Sequence, residues 1–167
     1  MEIRKSRGED LDRMMEIFAA ARAFMAANGN PGQWGDGYPE RTLLEEDITL
    51  GQSYVVLEQG RIVGTFVFFI GHEPVYDVIT NGVWHAEKPY GVIHRVASDG
   101  VTRGVGRACF DFCAAQTDYL RIDTHEQNRP MQQALQRYGF RRCGDVVYED
   151  GKERIGFDYV GNKTKAH

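Results

Sequence analysis

The 167-residue chain predicts a single α/β (α+β) domain over residues 1–160, built on a central mixed sheet of about seven strands with about four flanking helices. Three observations predict it. β-rich runs alternate with amphipathic segments along most of the length. SYVVLEQGRIVGTFVFFIG, Ser53 to Gly71, holds two such runs joined at Gln59-Gly60, a hairpin signal. VIHRVASDGVTRGVGRAC, Val92 to Cys109, passes from an apolar run through a glycine-bearing loop into a helical pattern. GNKTKAH, residues 161–167, reads as a flexible tail.

The elements follow in order. IRK near the start is a short strand. Leu11, Met14, Met15, Phe18, Ala21 and Met25 recur at helical spacing until Asn28 and Gly29 stop them. NGNPGQWGDGYPER is a Gly- and Pro-rich loop, and TLLEEDITL a short second helix. The hairpin comes next, then a loop with Trp84 and Tyr90, a fourth strand in VIHRVAS, and a helix from about Gly104 to Gln116. YLRIDT is the fifth strand. Met131, Ala134, Leu135 and Tyr138 share one face of a short helix that begins at Asn128 and ends at Gly139. FRRCGDVVYE and ERIGFDYV close the sheet.

Composition excludes several classes. Apolar residues at 42% and charged residues at 26% are those of ordinary globular proteins, not of disordered or fibrous chains. No apolar run approaches the roughly 20 residues of a membrane span, and MEIRKSRGED lacks the core of a secretory signal. The expectation is a cytoplasmic protein without a membrane partner. A formal charge of −4 disfavours non-specific nucleic-acid binding. Cys109 and Cys113, at i, i+4 in a helical pattern, and Cys143 read as reduced, buried thiols. No CxxC or HExxH spacing is present, so no metal is expected.

The glycine loop carries two readings. Arg103-Gly104-Val105-Gly106-Arg107 can turn successive backbone N–H groups toward an anion at a helix N-terminus, with either arginine adding charge. It can equally be a plain turn. The GxxxxGK[ST] pattern and the third glycine of a dinucleotide fingerprint are both missing, which disfavours nucleotide hydrolysis and hydride transfer.

Downstream, RIDTHEQNRPMQQALQRYGF, Arg121 to Phe140, adds a strand, Asn128 at a helix cap and a closing Tyr-Gly-Phe. With these the chain resembles the GNAT N-acetyltransferase superfamily over nearly its whole length. The resemblance implies a mostly antiparallel sheet of acyl-CoA N-acyltransferase type, with coenzyme A held where the fourth strand splays from the fifth. Carried over, Val96 and Ser98 face the pantetheine arm. Val101, Thr102, Arg103, Gly104, Val105, Gly106 and Arg107 cradle the pyrophosphate, and Asn128 contacts the coenzyme, although asparagine is also a favoured plain N-cap. Acetyl-CoA would be the co-substrate and an amine of a small molecule or peptide the acceptor; a homodimer is left open. Two departures stand out. Val101 replaces the usual Gln or Arg three residues before GxG, and Leu135 occupies the position of the tyrosine that often protonates the departing thiolate.

Tyr138, one helical turn later, is the substitute acid or else a packing residue. Proton removal from the amine needs a base near neutrality. His94 on the fourth strand is the preferred candidate, with a histidine hydrogen-bonded in the sheet as the other reading; His125 and Glu126 follow. Trp34 and Tyr38, in the loop after the first helix, either shape the acceptor site or pin their loop, and the same choice holds for Trp84 and Tyr90. Glu73 in GHEP attracts a cationic amine or is merely solvated. The expected function is acetyl transfer from acetyl-CoA to a primary amine by direct attack. The alternative, motivated by Leu135, is a non-catalytic acyl-CoA-binding module of the same fold.

Overall fold

The computed structural model describes residues 1–35 and 37–161. Its strands are β1 (Glu2–Lys5), β2 (Ser53–Glu58), β3 (Arg61–Ile70), β4 (Gly91–Ser98), β5 (Tyr119–Thr124), β6 (Arg141–Val147) and β7 (Glu153–Val160). Its α-helices are α1 (Leu11–Ala27), α2 (Arg41–Thr49), α3 (Val105–Gln116) and α4 (Arg129–Tyr138). Two short 3-10 turns, Gly8–Asp10 and Pro74–Asp77, lie within stretches that sequence patterning leaves unassigned. The 161–167 tail expectation falls outside the described residues, apart from Gly161, whose N–H donates to the Asp118 carbonyl at 2.6 Å.

The sheet runs β1-β2-β3-β4-β5-β7-β6. Every neighbouring pair is antiparallel except β4 and β5, which α3 connects as a parallel crossover. Both faces are covered, which explains why β2 and β3 read as continuous apolar runs rather than alternations. Val55, Leu57 and Ala97 face α1 and α2, where Met14, Ile17, Phe18 and Leu44 are buried. Val56, Phe66, Phe68 and Ile93 face α3 and α4 with Cys109, Phe110, Cys113 and Leu135. Each large side chain buried this way contributes about 1.5–3 kcal/mol of transfer free energy. Burial also pushes the Cys109 and Cys113 thiols well above their ordinary range, so they serve as apolar packing.

Tyr76, Trp84, Val92, Cys143 and Val146 form a third cluster at the β6 end. Here the loop before β4 is pinned, as one of the two readings of Trp84 and Tyr90 expects. The Arg121 guanidinium lies 4.3 Å from the Trp84 ring centre and 4.2 Å from that of Tyr90. Its Nε donates to the Tyr119 hydroxyl, which in turn donates to buried Asp158. Among the described residues no helix is long and apolar enough to cross a membrane.

Candidate active site

The site begins where the sheet opens. β4 and β5 pair only through Gly91–Leu120, Val92–Arg121 and Ile93–Ile122; beyond these they separate. In the same stretch β4 bulges against β3. Val67 pairs with His94 and Thr65 with Ala97, with Arg95 at φ +50° between them. A left-handed arginine is unfavourable by about 1–2 kcal/mol. It is held by a two-pronged ion pair to buried Asp47 on α2, Nε–Oδ2 3.0 Å and Nη2–Oδ1 2.7 Å, and by a bond to the Tyr38 hydroxyl. The bulge re-aims the residues that follow Ile93.

One side of the opening is a groove of about 500 Å³ between the end of β4, the glycine loop and α4. Val96, Ser98, Val101, Thr102, Arg103, Val105, Gly106 and Asn128 line it. Asp99 shapes the approach by accepting the N–H groups of Val101 and Thr102 and the Thr102 hydroxyl. Burial pushes its carboxyl up, but these donors outweigh that and hold it below its ordinary range. The N–H groups at Val101 and Thr102 are therefore already engaged. Those from Arg103 to Arg107 make no well-formed hydrogen bond among the described residues, leaving donors at the start of α3. Gly104 caps the helix at φ +83°, and a Cβ at Gly100 or Gly106 would meet only open space. Gly104 and Arg107 themselves border a shallow depression on the outer side of the loop, with Met1, Ile3 and Asp111. Neither Arg103 nor Arg107 has an ion-pair partner among the described residues.

The other side is a cavity of about 360 Å³ that contains Trp34, Tyr38, His94 and Glu73 and shares Met25, Val96, Asn128 and Met131 with the groove. The two spaces thus meet beside the gap between β4 and β5. Glu73 is not a solvated residue. Its Oε2 lies 2.8 Å from His94 Nε2, with both side chains less than one-fifth exposed. The His94 hydrogen bond holds the Glu73 carboxyl below its ordinary range against the opposing effect of burial. A carboxylate only accepts, so neutral His94 carries its hydrogen on Nε2 and leaves the Nδ1 lone pair free. In the same cavity Asp123 Oδ2 accepts from the Tyr76 and Tyr148 hydroxyls at 2.7 Å each. Trp34 packs edge-on against Phe18 and leans on Tyr38, which pins the loop, and both residues also line the cavity.

Asn128 sits at the junction with both ends of its amide engaged. Its Oδ1 caps α4 by accepting from Met131 N at 3.2 Å, and its Nδ2 donates to Gln33 at 3.0 Å.

Tyr138 is not brought to either cavity. Its hydroxyl donates to Asp111 at 2.7 Å, and its ring packs against Phe110, Phe140 and Tyr159. Burial, then the Asp111 bond, pushes the phenol up, so it holds its proton. Leu135 is fully buried against the sheet. Restoring the family tyrosine by Leu135→Tyr is therefore expected to overpack the core, lowering stability by about 1–3 kcal/mol in urea titrations without raising kcat. His125 turns its Nδ1 to the Gln127 N–H and lines neither cavity, and Glu126 is exposed. His85, Cys143 and Asp158 do meet at the β6 end, unsignalled by any spacing. Their contacts, 2.6 Å from His85 Nδ1 to Asp158 and 3.4 Å to Cys143 Sγ, are those of hydrogen bonds.

Residues that sequence reasoning missed are Arg95, Asp123, Tyr148 and Arg154. A polar residue near the end of an apolar strand, as at Asp123 in YLRIDT, is the signal that could have found one of them.

No family model matches the chain, and no curated protein sequence does. Solved structures do. A GNAT family acetyltransferase from Streptococcus agalactiae 2603 is similar at 31% identity, with 97% of this chain and 96% of that one covered and a TM-score of 0.88. A GNAT family acetyltransferase from Bacillus cereus ATCC 10987 shares the fold at 18% identity, covering 97% and 98%, with a TM-score of 0.63. So does a ribosomal-protein-alanine N-acetyltransferase from Brucella melitensis, at 16% identity over 96% and 99%, with a TM-score of 0.62. The fold is that of the acyl-CoA N-acyltransferases. The chain belongs to the GNAT acetyltransferase family.

Proposed function

We propose that the protein is an acetyl-CoA-dependent N-acetyltransferase that acts on a primary amine of a small molecule or peptide by direct attack. The observation that carries this reading is the junction of the two spaces. A groove lined at its end by Arg103, Val105 and Gly106, whose N–H groups make no well-formed hydrogen bond among the described residues, meets, at the gap between β4 and β5, a cavity holding a His–Glu pair. The donors suit a pyrophosphate, since unpaired N–H groups at a helix start favour anions. Val96 and Ser98 flank the pantetheine arm, and Val101 and Thr102 wall the loop while Arg103 to Arg107 supply its donors. Asn128 positions the end of α4 between co-substrate and acceptor.

Acetyl-CoA supplies an acetyl group activated as a thioester. His94 Nδ1 takes the proton that the amine nitrogen loses, directly or through water, as the N–C bond forms and the C–S bond breaks. Glu73 holds the imidazole in the tautomer that this requires and stabilises the imidazolium. Trp34 and Tyr38 wall the acceptor. A thiol of pKa about 8.5 is a tolerable leaving group near neutrality, so the departing thiolate needs no acid from α4. Tyr138, hydrogen-bonded to Asp111 outside both cavities, has no part in this scheme.

The second reading is an acyl-CoA-binding module without turnover, favoured by the burial of Leu135 where a tyrosine acid would stand. Incubation with acetyl-CoA and a panel of amines, following free thiol, separates the two. Amine-dependent thiol release is expected. CoA binding without release across the panel would leave only the second.

A further inference from the structure

We propose that the acceptor is a primary amine that also carries an anionic group, a carboxylate or a phosphate, with its amine beside Asp123 and its anion beside Arg154. The proposal rests on the acetyltransferase reading and adds a substrate class to it. Asp123 lines the acceptor cavity, and both hydroxyls that reach it bind the same oxygen, Oδ2. Among the described residues nothing donates to Oδ1, and no cation pairs with the carboxylate. Burial, then the Asp123 charge, keeps the Tyr76 and Tyr148 phenols protonated, so both act as neutral donors. The remaining oxygen is a receptor for N–H groups.

Arg154 is its complement on the same cavity wall. Its Nη1 and Nη2 donate to the backbone carbonyls of Glu153 and Gln33, at 2.9 Å each, and no carboxylate pairs with it among the described residues. Arg95 in the same cavity differs, since Asp47 already neutralises it. Strand register sets the separation. Asp123 pairs with Gly156, so Arg154, two residues along β7, projects from the same face of the sheet about 7 Å further on.

Two unmet charges of opposite sign thus share a cavity of about 360 Å³. A ligand with both an ammonium and an anion meets both. A simple amine leaves Arg154 unpaired, and a diamine sets a second cation against it. Selectivity follows from these repulsive or missing contacts as much as from the attractive ones.

Calorimetry on the protein with and without CoA tests this with four probes: γ-aminobutyrate, O-phosphoethanolamine, butylamine and putrescine. At least one anion-bearing amine is expected to bind more tightly than butylamine and putrescine, and which of the two does so assigns carboxylate or phosphate. Arg154→Gln is expected to reduce that preference by about 10- to 100-fold, the loss of a charge-assisted contact. Arg154→Lys is expected to restore part of it, and Asp123→Asn to weaken every amine. Butylamine or putrescine binding as tightly as both anionic amines in the wild-type protein would overturn the proposal whatever the variants do; so would an unchanged preference in folded Arg154→Gln. Thiol release, read in parallel, keeps the two readings apart. Turnover confined to butylamine or putrescine sinks the substrate class and leaves the transferase. Preferred binding of an anionic amine without release from any acceptor upholds the site and sinks the transferase.

Discussion

Gly106→Asp is expected to weaken acetyl-CoA binding by at least about 100-fold, measured by calorimetry, because Gly106 lines the groove and the substitution puts a carboxylate beside the donors proposed to hold the pyrophosphate. Two like charges about 4 Å apart repel by roughly 4 kcal/mol at the effective dielectric of a protein surface. Gly106 is not in the left-handed region and a Cβ there meets open space, so only the charge is added. Gly104 gives the contrast. It sits at φ +83° and a Cβ there faces Met1 on the outer side of the loop, so Gly104→Asp adds strain without entering the groove and should lose stability but retain more affinity. Wild-type affinity in folded Gly106→Asp would remove the proposed cradle.

His94→Ala is expected to lower kcat by about 10²- to 10⁴-fold, the range of a lost general base, with little change in acetyl-CoA affinity. Glu73→Gln should lower kcat less, because a neutral amide can still hold the imidazole in place. Stability carries a matching signature. The Glu73 carboxyl is held below its ordinary 4.5 in the folded chain, so its pairing is stabilising above that pH. That contribution fades as pH falls through the lowered folded value. His94→Ala should therefore flatten the acid side of the stability profile in urea titrations at stepped pH. An unchanged kcat in His94→Ala would remove it from the chemistry and leave the hydrogen-bonded sheet histidine.

Much of the architecture is legible in the sequence because periodicity reports burial. The α1 residues from Leu11 to Ala21 and the runs of β2 and β3 reveal which faces are apolar, and Gln59-Gly60 reveals a hairpin. Strand order is less direct, since nothing in the spacing of VIHRVAS says that it pairs with YLRIDT through only three residues before parting. The candidate site is legible where local chemistry marks it: glycines before a helix, an asparagine cap, a histidine on β4. It is illegible where its parts are distant in sequence. Glu73 looked solvated because its partner His94 lies 21 residues on; Tyr138 looked available because its hydrogen bond to Asp111 spans 27.

The sequence by itself determined the elements, the glycine-bearing start of α3 and the residue types that acyl transfer would use. Those properties are local, carried by side-chain period, backbone freedom and capping. Only the tertiary structure decided which groups face one another: Asp99 engaging the N–H groups of Val101 and Thr102, Leu135 filling the core, and Asp123 and Arg154 each without an ionic partner on one face. Desolvation and Coulomb interaction depend on distance through space, and the folded sheet sets that distance.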